Sequence, residues 1–240
     1  MPFLRMKAFG RPSPSIQLWR HIPLYQFLSL LETRAVWFSA ISKLEDKFEG
    51  SYTLRDTRRL EQLERLSQRS RGVPAGVEAD YLTKRLEAIK ARSYVSCWYM
   101  GSDESAALWQ RTARTADFVA IQTTYRDLET AFKSTLYVAP VKYMNYETRR
   151  IPDGSILNPF FCKRTIFSYE KEFRLLLYRP REDSPEPGHY VKSAVQRVVR
   201  RVMLAPYTSA WVRDVVQSLL LRYRLKIPIV PSAVDAEPAW

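Results

Sequence analysis

The sequence predicts a mixed α+β domain, and three observations predict it. Short segments that alternate apolar and polar residues, rich in Val, Tyr and Trp, are typical of strands. Between them lie longer segments with apolar residues at helical spacing, which are typical of amphipathic helices. No internal repeat and no clear linker divides residues 1–240, so we expect a single α+β domain with a helical pair inserted at about 53–91.

The N-terminal half begins with residues 1–15, which contain three prolines and are expected to be irregular. Beyond them, alternation predicts strands, and apolar residues at helical spacing predict helices. The expected elements are a strand at Gln17–Ile22, a helix from Pro23 through Leu31, a strand at Ala35–Ser39, a turn at Lys43–Gly50, helices at Thr53–Arg71 and Val77–Ala91 separated by a break at Gly72–Gly76, a strand at Ser93–Tyr99, and a helix capped by Ser102 or Asp103 that runs to about Thr112.

The C-terminal half continues the same alternation of strands and helices. Turn residues such as those of Pro152-Asp153-Gly154 mark its loops. The expected elements are a strand at Asp117–Thr123, a helix at Thr124–Lys133, a strand at Thr135–Tyr146 interrupted by Pro140, a loop at Glu147–Pro159, a strand at Glu170–Tyr178, a hairpin loop at Arg179–Gly188, a strand at Val198–Ala205, a helix from Thr208 or Ser209 through Leu225, and a strand at Ile227–Val230.

The chain is strongly basic. Its formal net charge is +13, from 38 Lys+Arg against 25 Asp+Glu. This balance favours polyanionic partners such as nucleic acid, nucleotides or an anionic membrane surface, although a basic charge also simply keeps a protein soluble. The arginines of the helix at Thr53–Arg71 alternate with Asp56, Glu61 and Glu64, which favours a solvated face over a phosphate-binding one.

Several functional classes lack their signatures in this sequence. Only 7 glycines are present, and neither G-x-G-x-x-G nor a Walker-type loop occurs. Two cysteines and two histidines without C-x-x-C spacing predict no disulfide framework and no metal site. Neither a signal peptide nor an apolar run of about 18 residues occurs, so we expect a cytoplasmic protein with no membrane partner.

An alternating acidic and basic run near residue 165 passes directly into an apolar strand and is the strongest functional candidate. The two-residue period of a strand places Glu170, Glu172 and Arg174 on one face. Two carboxylates and a guanidinium on one face are costly to bury unless they pair or bind a ligand. The glutamates are candidates for acid–base groups or for acceptors of a sugar hydroxyl. The alternative is the charged face of an edge strand, paired with neighbouring cations.

Two earlier strands carry candidate ligand-binding residues. Arg20 can bind phosphate bidentately, although a lone surface arginine is the commoner outcome. Ser96 and Trp98 share a face of the strand at Ser93–Tyr99, which leads into a polar turn and a helix N-terminus, an arrangement that suits anions. Helix capping explains that turn equally well, and Cys97 is interpreted as a core residue instead of a nucleophile.

Nine segments of the chain share their order and spacing with a known family. They are Leu18-Trp19-Arg20, Ala35–Ser39, Asp46–Gly50, Val95–Trp98, Glu104–Trp109, Val119–Thr124, Val141–Tyr146, Lys163 and Tyr169–Arg174. Together they resemble an uncharacterised, mainly bacterial family, domain of unknown function 2971, over roughly residues 16–232. Lys47 departs from the family pattern, which commonly has proline at this position. A tyrosine that is frequent a few residues after the Trp109 position is also missing.

A looser similarity links the chain to ADP-ribosyltransferases, in which an arginine on an early strand, a serine on a middle strand and Glu-x-Glu on a late strand occur in this order. The resemblance implies a strongly bent, split β-sheet with flanking helices and NAD as the substrate. Arg20 would hold the NAD phosphate, Ser96 would shape the nicotinamide pocket, and Glu172 would hold the ribose hydroxyl. The implied catalytic residues are Glu172 and Glu170, and the implied NAD-binding residues are Arg20, Ser96, Trp98, Trp109 and Arg174.

The resemblance therefore implies an ADP-ribosyltransferase or an NAD glycohydrolase, acting as a toxin or antiphage effector, with a partner protein of such a system. The charge of +13 supports an alternative, a non-enzymatic nucleic-acid-binding protein of a defence or mobile-element system. A third alternative is a nuclease or phosphotransfer enzyme that holds a divalent metal with Glu170 and Glu172, but no third acidic ligand stands at useful spacing.

Overall fold

The computed structural model describes residues 3–71, 77–112, 117–182 and 186–238. Its strands are β1 (Phe3–Arg5), β2 (Gln17–Pro23), β3 (Ala35–Ala40), β4 (Ser93–Met100), β5 (Phe118–Thr124), β6 (Leu136–Pro140), β7 (Lys142–Met144), β8 (Cys162–Arg164), β9 (Glu172–Tyr178), β10 (Gly188–Lys192), β11 (Arg201–Leu204) and β12 (Ile229–Val230). Its α-helices are α1 (Leu24–Thr33), α2 (Leu54–Arg71), α3 (Val77–Ala91), α4 (Ala106–Thr112), α5 (Tyr125–Ala131), α6 (Val195–Val198) and α7 (Ala210–Arg222). The predicted mixed α+β class is confirmed.

The main sheet is mixed and has ten strands, while β7 and β8 form a separate parallel pair. Its principal order is β1-β6-β9-β4-β2-β5-β11-β12, and β3 and β10 branch from β4. Most neighbours are antiparallel, whereas β1 runs parallel to β6 and β12 parallel to β11. The strand at the centre of this arrangement is β4, which pairs with three other strands, β9, β2 and β3.

The sheet splits along one edge of β4. On the other edge β9 follows β4 continuously, from Ser93 opposite Tyr178 to Tyr99 opposite Glu172. On the split edge, β3 pairs only with the first part of β4, and β2 pairs only with its last two residues. Among the described strands, the stretch 96–98 of β4 therefore has β9 as its single neighbour. The predicted split sheet is confirmed, and the gap between β2 and β3 opens a cleft.

Apolar side chains fill both faces of the sheet, as the alternation along the strands predicts. One face packs against α1, α5 and α7, whose buried residues include Phe27, Leu128 and Val216. The other face packs against α3 and the short 3-10 turns around it, through residues such as Ile89 and Phe160. None of the helices within the described ranges combines the length and the apolar character needed to cross a membrane.

The predicted helical pair appears as α2 and α3, which lie between β3 and β4 along the chain. The predicted break at Gly72–Gly76 lies outside the described residues. The first turn of α2 is held by Asp56, whose carboxylate accepts hydrogen bonds from the backbone and the hydroxyl of Thr53 at 3.2 and 2.7 Å. The same carboxylate accepts a hydrogen bond from the backbone amide of Ile151 at 3.0 Å, which docks the long loop after β7 onto the helix.

Several elements differ from their predictions. The first residues, expected to be irregular, contain β1, which pairs with β6 across a long chain separation. The strand β10 was missed because its sequence alternates weakly. The helix α4 begins at Ala106 instead of at a cap on Ser102 or Asp103, because the Ser102 hydroxyl donates to Asp103 at 2.7 Å instead. The amide of Leu108 donates to the Ser105 hydroxyl at 3.4 Å.

Several expected strands are shorter than predicted, and two of them show why. The stretch Thr135–Tyr146 divides at Pro140 into β6 and β7, which belong to different sheets. This division confirms the predicted interruption, since proline lacks the amide that a sheet ladder needs. The strand predicted at Val198–Ala205 starts only at Arg201, because the preceding residues form the single turn α6.

Candidate functional site

A cleft of about 360 Å³ opens where the sheet splits. Its walls come from β2, β3, β4 and β9, from α4, and from the turn that follows β3. This volume lies within the range of small-molecule sites, about 300–1,000 Å³. The lining side chains are Trp19, Arg20, His21, Ser39, Lys43, Leu44, Glu45, Asp46, Glu49, Val95, Cys97, Trp98, Tyr99, Leu108, Arg111, Thr112, Lys163, Glu170, Glu172 and Arg174.

Strand register explains why Glu172 and Arg174 reach the cleft together. Tyr99 lies directly opposite Glu172, and Cys97 lies directly opposite Arg174. Directly opposite residues of an antiparallel pair project from the same face of a sheet. Trp19 lies opposite Tyr99 on the other side of β4, so its side chain joins the same face. The floor of the cleft is therefore a continuous patch of three neighbouring strands.

Arg174 is fully buried and is surrounded by acceptors. Its Nε and Nη2 atoms donate to the two carboxylate oxygens of Glu172 at 2.6 and 2.9 Å. The Nη1 atom donates to Glu49 and to the backbone oxygen of Phe160, each at 2.8 Å. Such bidentate, charge-assisted pairs are the strongest hydrogen bonds that side chains form. They fix the position of the Glu172 carboxylate beside the cleft.

Lys163 ties the three buried carboxylates of the site together. Its Nζ atom lies 2.6 Å from Glu170, 3.1 Å from Glu49 and 3.7 Å from Glu172. The other carboxylate oxygen of Glu170 contacts the guanidinium of Arg111, which reaches over from α4. Three carboxylates thus face three cations, which explains how so many charges are accommodated in a buried position.

The protonation state of Glu172 follows from these contacts. Burial alone would raise its pKa, but the charge and hydrogen bonds of Arg174, followed by the charge of Lys163, lower the pKa to about 2. The carboxylate is therefore ionised at neutral pH. The neighbouring Cys97 behaves in the opposite way, because burial and the charge of Glu172 raise the pKa of its thiol. A thiol that stays protonated is a poor nucleophile.

Arg20 of β2 also lines the cleft. Its Nη2 atom donates to the backbone oxygen of Trp37 at 2.9 Å, which links β2 to β3 across the split. Its guanidinium also lies 6.0 Å from the centre of the Trp98 ring, within the range of a cation–π contact. Burial lowers the pKa of Arg20 to about 10, so the side chain remains charged at neutral pH. Within the described residues it has no carboxylate partner.

The structure corrects the expectation that Glu170, Glu172 and Arg174 lie on one face of a strand. Glu170 is the last residue of a 3-10 turn, Thr165–Glu170, and β9 begins only at Glu172. Lys171 between them adopts a left-handed backbone conformation, with φ 37°, which breaks the strand alternation. Glu170 nevertheless lines the cleft, because Lys163 and Arg111 hold its carboxylate there.

Of the seven residues that the sequence singled out, five line the cleft and two stand behind it. The five are Glu170, Glu172, Arg20, Trp98 and Arg174. Ser96 is fully buried, and its hydroxyl accepts a hydrogen bond from the indole of Trp98 at 3.0 Å. Trp109 is also buried, and it contacts His21 edge-on at a ring distance of 4.5 Å. Each of these two residues therefore touches a residue of the cleft wall.

Sequence reasoning missed three charged residues of the site, namely Glu49, Lys163 and Arg111. Glu49 lies in a turn that reads as surface, yet its side chain is buried against Arg174. The sequence marked Lys163 as a segment of the family resemblance and as a possible cation partner, but did not predict that it contacts all three carboxylates. The signal for Glu49 was the acidic turn that recurs in the family pattern. Within the described ranges, no three His, Cys, Asp or Glu side chains are arranged so that they could hold a metal ion.

No protein-family model matches the chain, so its membership of the domain of unknown function 2971 family stays a prediction. No curated protein matches it in sequence either. Three solved structures similar to it are those of Thermus sp. 2.9 DarT, in complex with carba-NAD+, with ADP-ribosylated ssDNA and with NAD+. They are 8%, 8% and 7% identical, with TM-scores of 0.39, 0.41 and 0.43. They cover 94%, 93% and 95% of this chain and 98%, 96% and 100% of their own.

Proposed function

We propose that the protein is an NAD-dependent ADP-ribosyltransferase-like enzyme that binds NAD in the cleft and transfers ADP-ribose to a macromolecule or to water. The observation that carries this proposal is that two opposite charges line one cleft. Arg20 presents a guanidinium without a carboxylate partner among the described residues, and Glu172 presents an ionised carboxylate. NAD offers one partner to each, because its phosphates are anionic and a cationic centre develops when nicotinamide leaves.

The free guanidinium supports phosphate binding on energetic grounds. Desolvating a charge without a counter-ion is costly, and a ligand anion removes that cost. Arg20 already donates one hydrogen bond to Trp37, which fixes the orientation of its planar group. Lys43 also lines the cleft and adds positive charge to the same space. A pyrophosphate is therefore a suitable occupant of this part of the cleft.

The pKa of Glu172, about 2, restricts the role of this residue. A carboxylate that stays ionised at neutral pH cannot donate a proton, so general acid catalysis is excluded as its role. It can accept a hydrogen bond from a ribose hydroxyl and can stabilise positive charge on the ribose ring. The two hydrogen bonds from Arg174 hold it in one orientation before the reaction begins.

In the proposed reaction the bond between the ribose carbon and the nicotinamide nitrogen breaks, and its electron pair leaves with nicotinamide. Glu172 stabilises the cationic, oxocarbenium-like carbon that results. The acceptor, either a group of the target or water, forms the new bond to this carbon and releases a proton. Glu170 lies at the same cleft and is positioned to orient the acceptor through its carboxylate.

The test is nicotinamide release from NAD, measured together with the shift in Tm that NAD causes. Wild type should release nicotinamide, and Glu172→Gln should reduce the rate by about 100-fold or more, as loss of a charge-stabilising group does. Arg20→Met should reduce the NAD-induced shift in Tm. The matched control is Glu147→Gln, because this carboxylate is exposed on the loop after β7. A wild-type protein that neither turns over NAD nor shows a Tm shift would overturn the proposal.

A role as a toxin or antiphage effector belongs to the same proposal, and the resemblance to ADP-ribosyltransferases motivates it. Induced expression in a bacterial host should then arrest growth, and Glu172→Gln should relieve the arrest. Growth at the normal rate in spite of full expression of active enzyme would contradict this role.

A second candidate function is nucleic-acid binding without catalysis, and a basic pocket favours it. The pocket has a volume of about 610 Å³ and is lined by Arg200, Arg224 and Lys226. Binding through these cations should weaken steeply as the salt concentration rises, because each phosphate contact releases counter-ions. Glu172→Gln should leave such binding intact. Affinity that does not change with salt would remove this candidate.

A further inference from the structure

A hollow lined by aromatic side chains lies beside the cleft. Tyr25 of α1, Trp37 of β3 and Tyr190 of β10 form its walls, and its volume is about 190 Å³. Tyr25 and Tyr190 are 70% and 53% exposed, so the hollow presents a cluster of aromatic rings to solvent. We propose that this hollow binds a base of an unpaired nucleic-acid strand whose neighbouring nucleotide enters the cleft.

Two of the three rings of the hollow, those of Trp37 and Tyr190, are held in place before any ligand binds. The Tyr190 hydroxyl shares a hydrogen bond with the Ser29 hydroxyl at 2.9 Å. The rings of Trp37 and Tyr190 are 4.8 Å apart and meet at 62°. Gly188 makes room for the indole, because a Cβ atom at this position would lie 2.2 Å from the Trp37 ring. A rigid aromatic surface loses little entropy on binding and can stack on the face of any base.

The hollow and the cleft lie next to each other on one face of β3. Trp37 lines the hollow and Ser39 lines the cleft, and strand alternation places both side chains on the same face. The indole of Trp37 donates to the Ser39 hydroxyl at 3.1 Å, which confirms their proximity. Two residues of a strand span about 7 Å, close to the distance between adjacent nucleotides of an extended strand.

Positive charge near the hollow favours nucleic acid over other ligands that stack on aromatic side chains. Lys192 is exposed and lies on the same face of β10 as Tyr190, and Lys43 lines the neighbouring cleft. The chain as a whole carries a net charge of +13. A sugar ring would suit the aromatic walls, but it carries no charge for these cations to attract. A nucleic-acid strand carries a negative charge at every phosphate, which these cations attract. Duplex nucleic acid cannot present an unstacked base to the hollow.

The binding test uses dye-labelled single strands of about ten nucleotides, both DNA and RNA, and the corresponding duplex. Fluorescence anisotropy should show that Tyr25→Ala and Tyr190→Ala each weaken single-strand binding about tenfold, as loss of a stacking ring does. Tyr25→Phe keeps the ring and should bind within about twofold of wild type. Trp211→Ala is the matched control, since this ring is 62% exposed on α7 and lines neither the hollow nor the cleft.

The outcomes separate this inference from the proposed enzyme. In NAD hydrolysis without nucleic acid, Tyr25→Ala should match wild type, because Tyr25 does not line the cleft. Ring-dependent strand binding without any NAD turnover would support the hollow and would overturn the transferase. Equal affinity of wild type and both alanine variants, or no single-strand binding by wild type, would overturn the hollow as a base site. A neutral oligosaccharide that saturates the hollow without displacing the nucleic-acid strand would also overturn the hollow as a base site. If the nucleotide that enters the cleft accepts ADP-ribose, that role rests on the proposed function, whereas the base-binding site in the hollow does not.

Discussion

Arg174 and Glu172 stand two residues apart on one strand, and the guanidinium donates to both carboxylate oxygens of the glutamate at 2.6 and 2.9 Å. This pair sits at the floor of the cleft, and Glu49 completes it from a turn that is distant in sequence. The contacts with Arg174 therefore keep the proposed catalytic carboxylate of Glu172 ionised and hold it in one orientation. The same contacts also join parts of the fold that are distant in sequence.

Stability at low pH should depend on Glu172. Its folded-state pKa of about 2 lies below the ordinary value of 4.5, so its stabilising contribution is present above pH 4.5 and is lost as the pH falls toward 2. Glu172→Gln should be less stable than wild type at neutral pH and should lose less stability across this range. Urea unfolding at a series of pH values measures this. Parallel loss of stability in both proteins would contradict the assignment.

Lys163 and Arg111 both contact Glu170, but their removal should have different effects. Lys163 is 7% exposed and bridges three carboxylates, so Lys163→Met should cost about 3–5 kcal/mol of unfolding free energy. Arg111 is half-exposed, and Arg111→Met should cost less than about 1 kcal/mol, because water replaces it. Urea unfolding of the two variants compares them directly. Equal losses would show that Lys163 does not hold the site together.

Gly50 should tolerate alanine poorly because of packing as well as conformation. Both Gly50 and Gly10 have left-handed backbone conformations, with φ of 71° and 76°, so alanine strains both. A Cβ atom at Gly50 would lie 2.4 Å from the Phe160 ring, whereas nothing lies within 4 Å at Gly10. We expect Gly10→Ala to cost about 1–2 kcal/mol and Gly50→Ala about 1–3 kcal/mol more. Thermal unfolding compares the two, and similar losses would rule out the packing contribution.

Ser96 and Ser39 each accept an indole N–H from a tryptophan two residues away on the same strand, Trp98 at 3.0 Å and Trp37 at 3.1 Å. The Trp98 indole is buried, so Ser96→Ala leaves a donor without a partner and should cost about 1–3 kcal/mol of unfolding free energy. Trp37 is half-buried, so water can replace Ser39, and Ser39→Ala should cost less than about 1 kcal/mol. Urea unfolding measures both. A larger loss for Ser39→Ala would contradict this explanation.

Much of the fold could be predicted from the sequence because most elements carry a strong local pattern. The strands around Trp19, Trp98 and Phe173 and the two long helices between β3 and β4 show clear periodicity, and the structure has them within a few residues of prediction. The elements that were missed are short. The three-residue strand β1 and the strand β10 exist because of their partners in the sheet, and such tertiary pairing leaves little trace in local sequence.

The site was predictable only where its residues stand on regular strands. Alternation correctly placed Glu172 beside Arg174, but it cannot foresee the left-handed conformation of Lys171 that removes Glu170 from the strand. Burial of Glu49 was also invisible, because charged residues in turns are normally exposed. Ser96 was placed on the correct strand, yet its position behind Trp98 depends on how the side chains pack.

The contacts that complete the cleft join residues very far apart in the chain, since Arg174 follows its partner Glu49 by 125 positions. During synthesis, Glu49 and the whole of β4 leave the ribosome well before Arg174 exists. The central strand therefore emerges with an unpaired edge, and Glu49 gains its contact with Arg174 only when β9 arrives. A nascent chain that stops short of β9 has neither the complete sheet nor the complete cleft, so any activity of the cleft must wait until β9 has been synthesised.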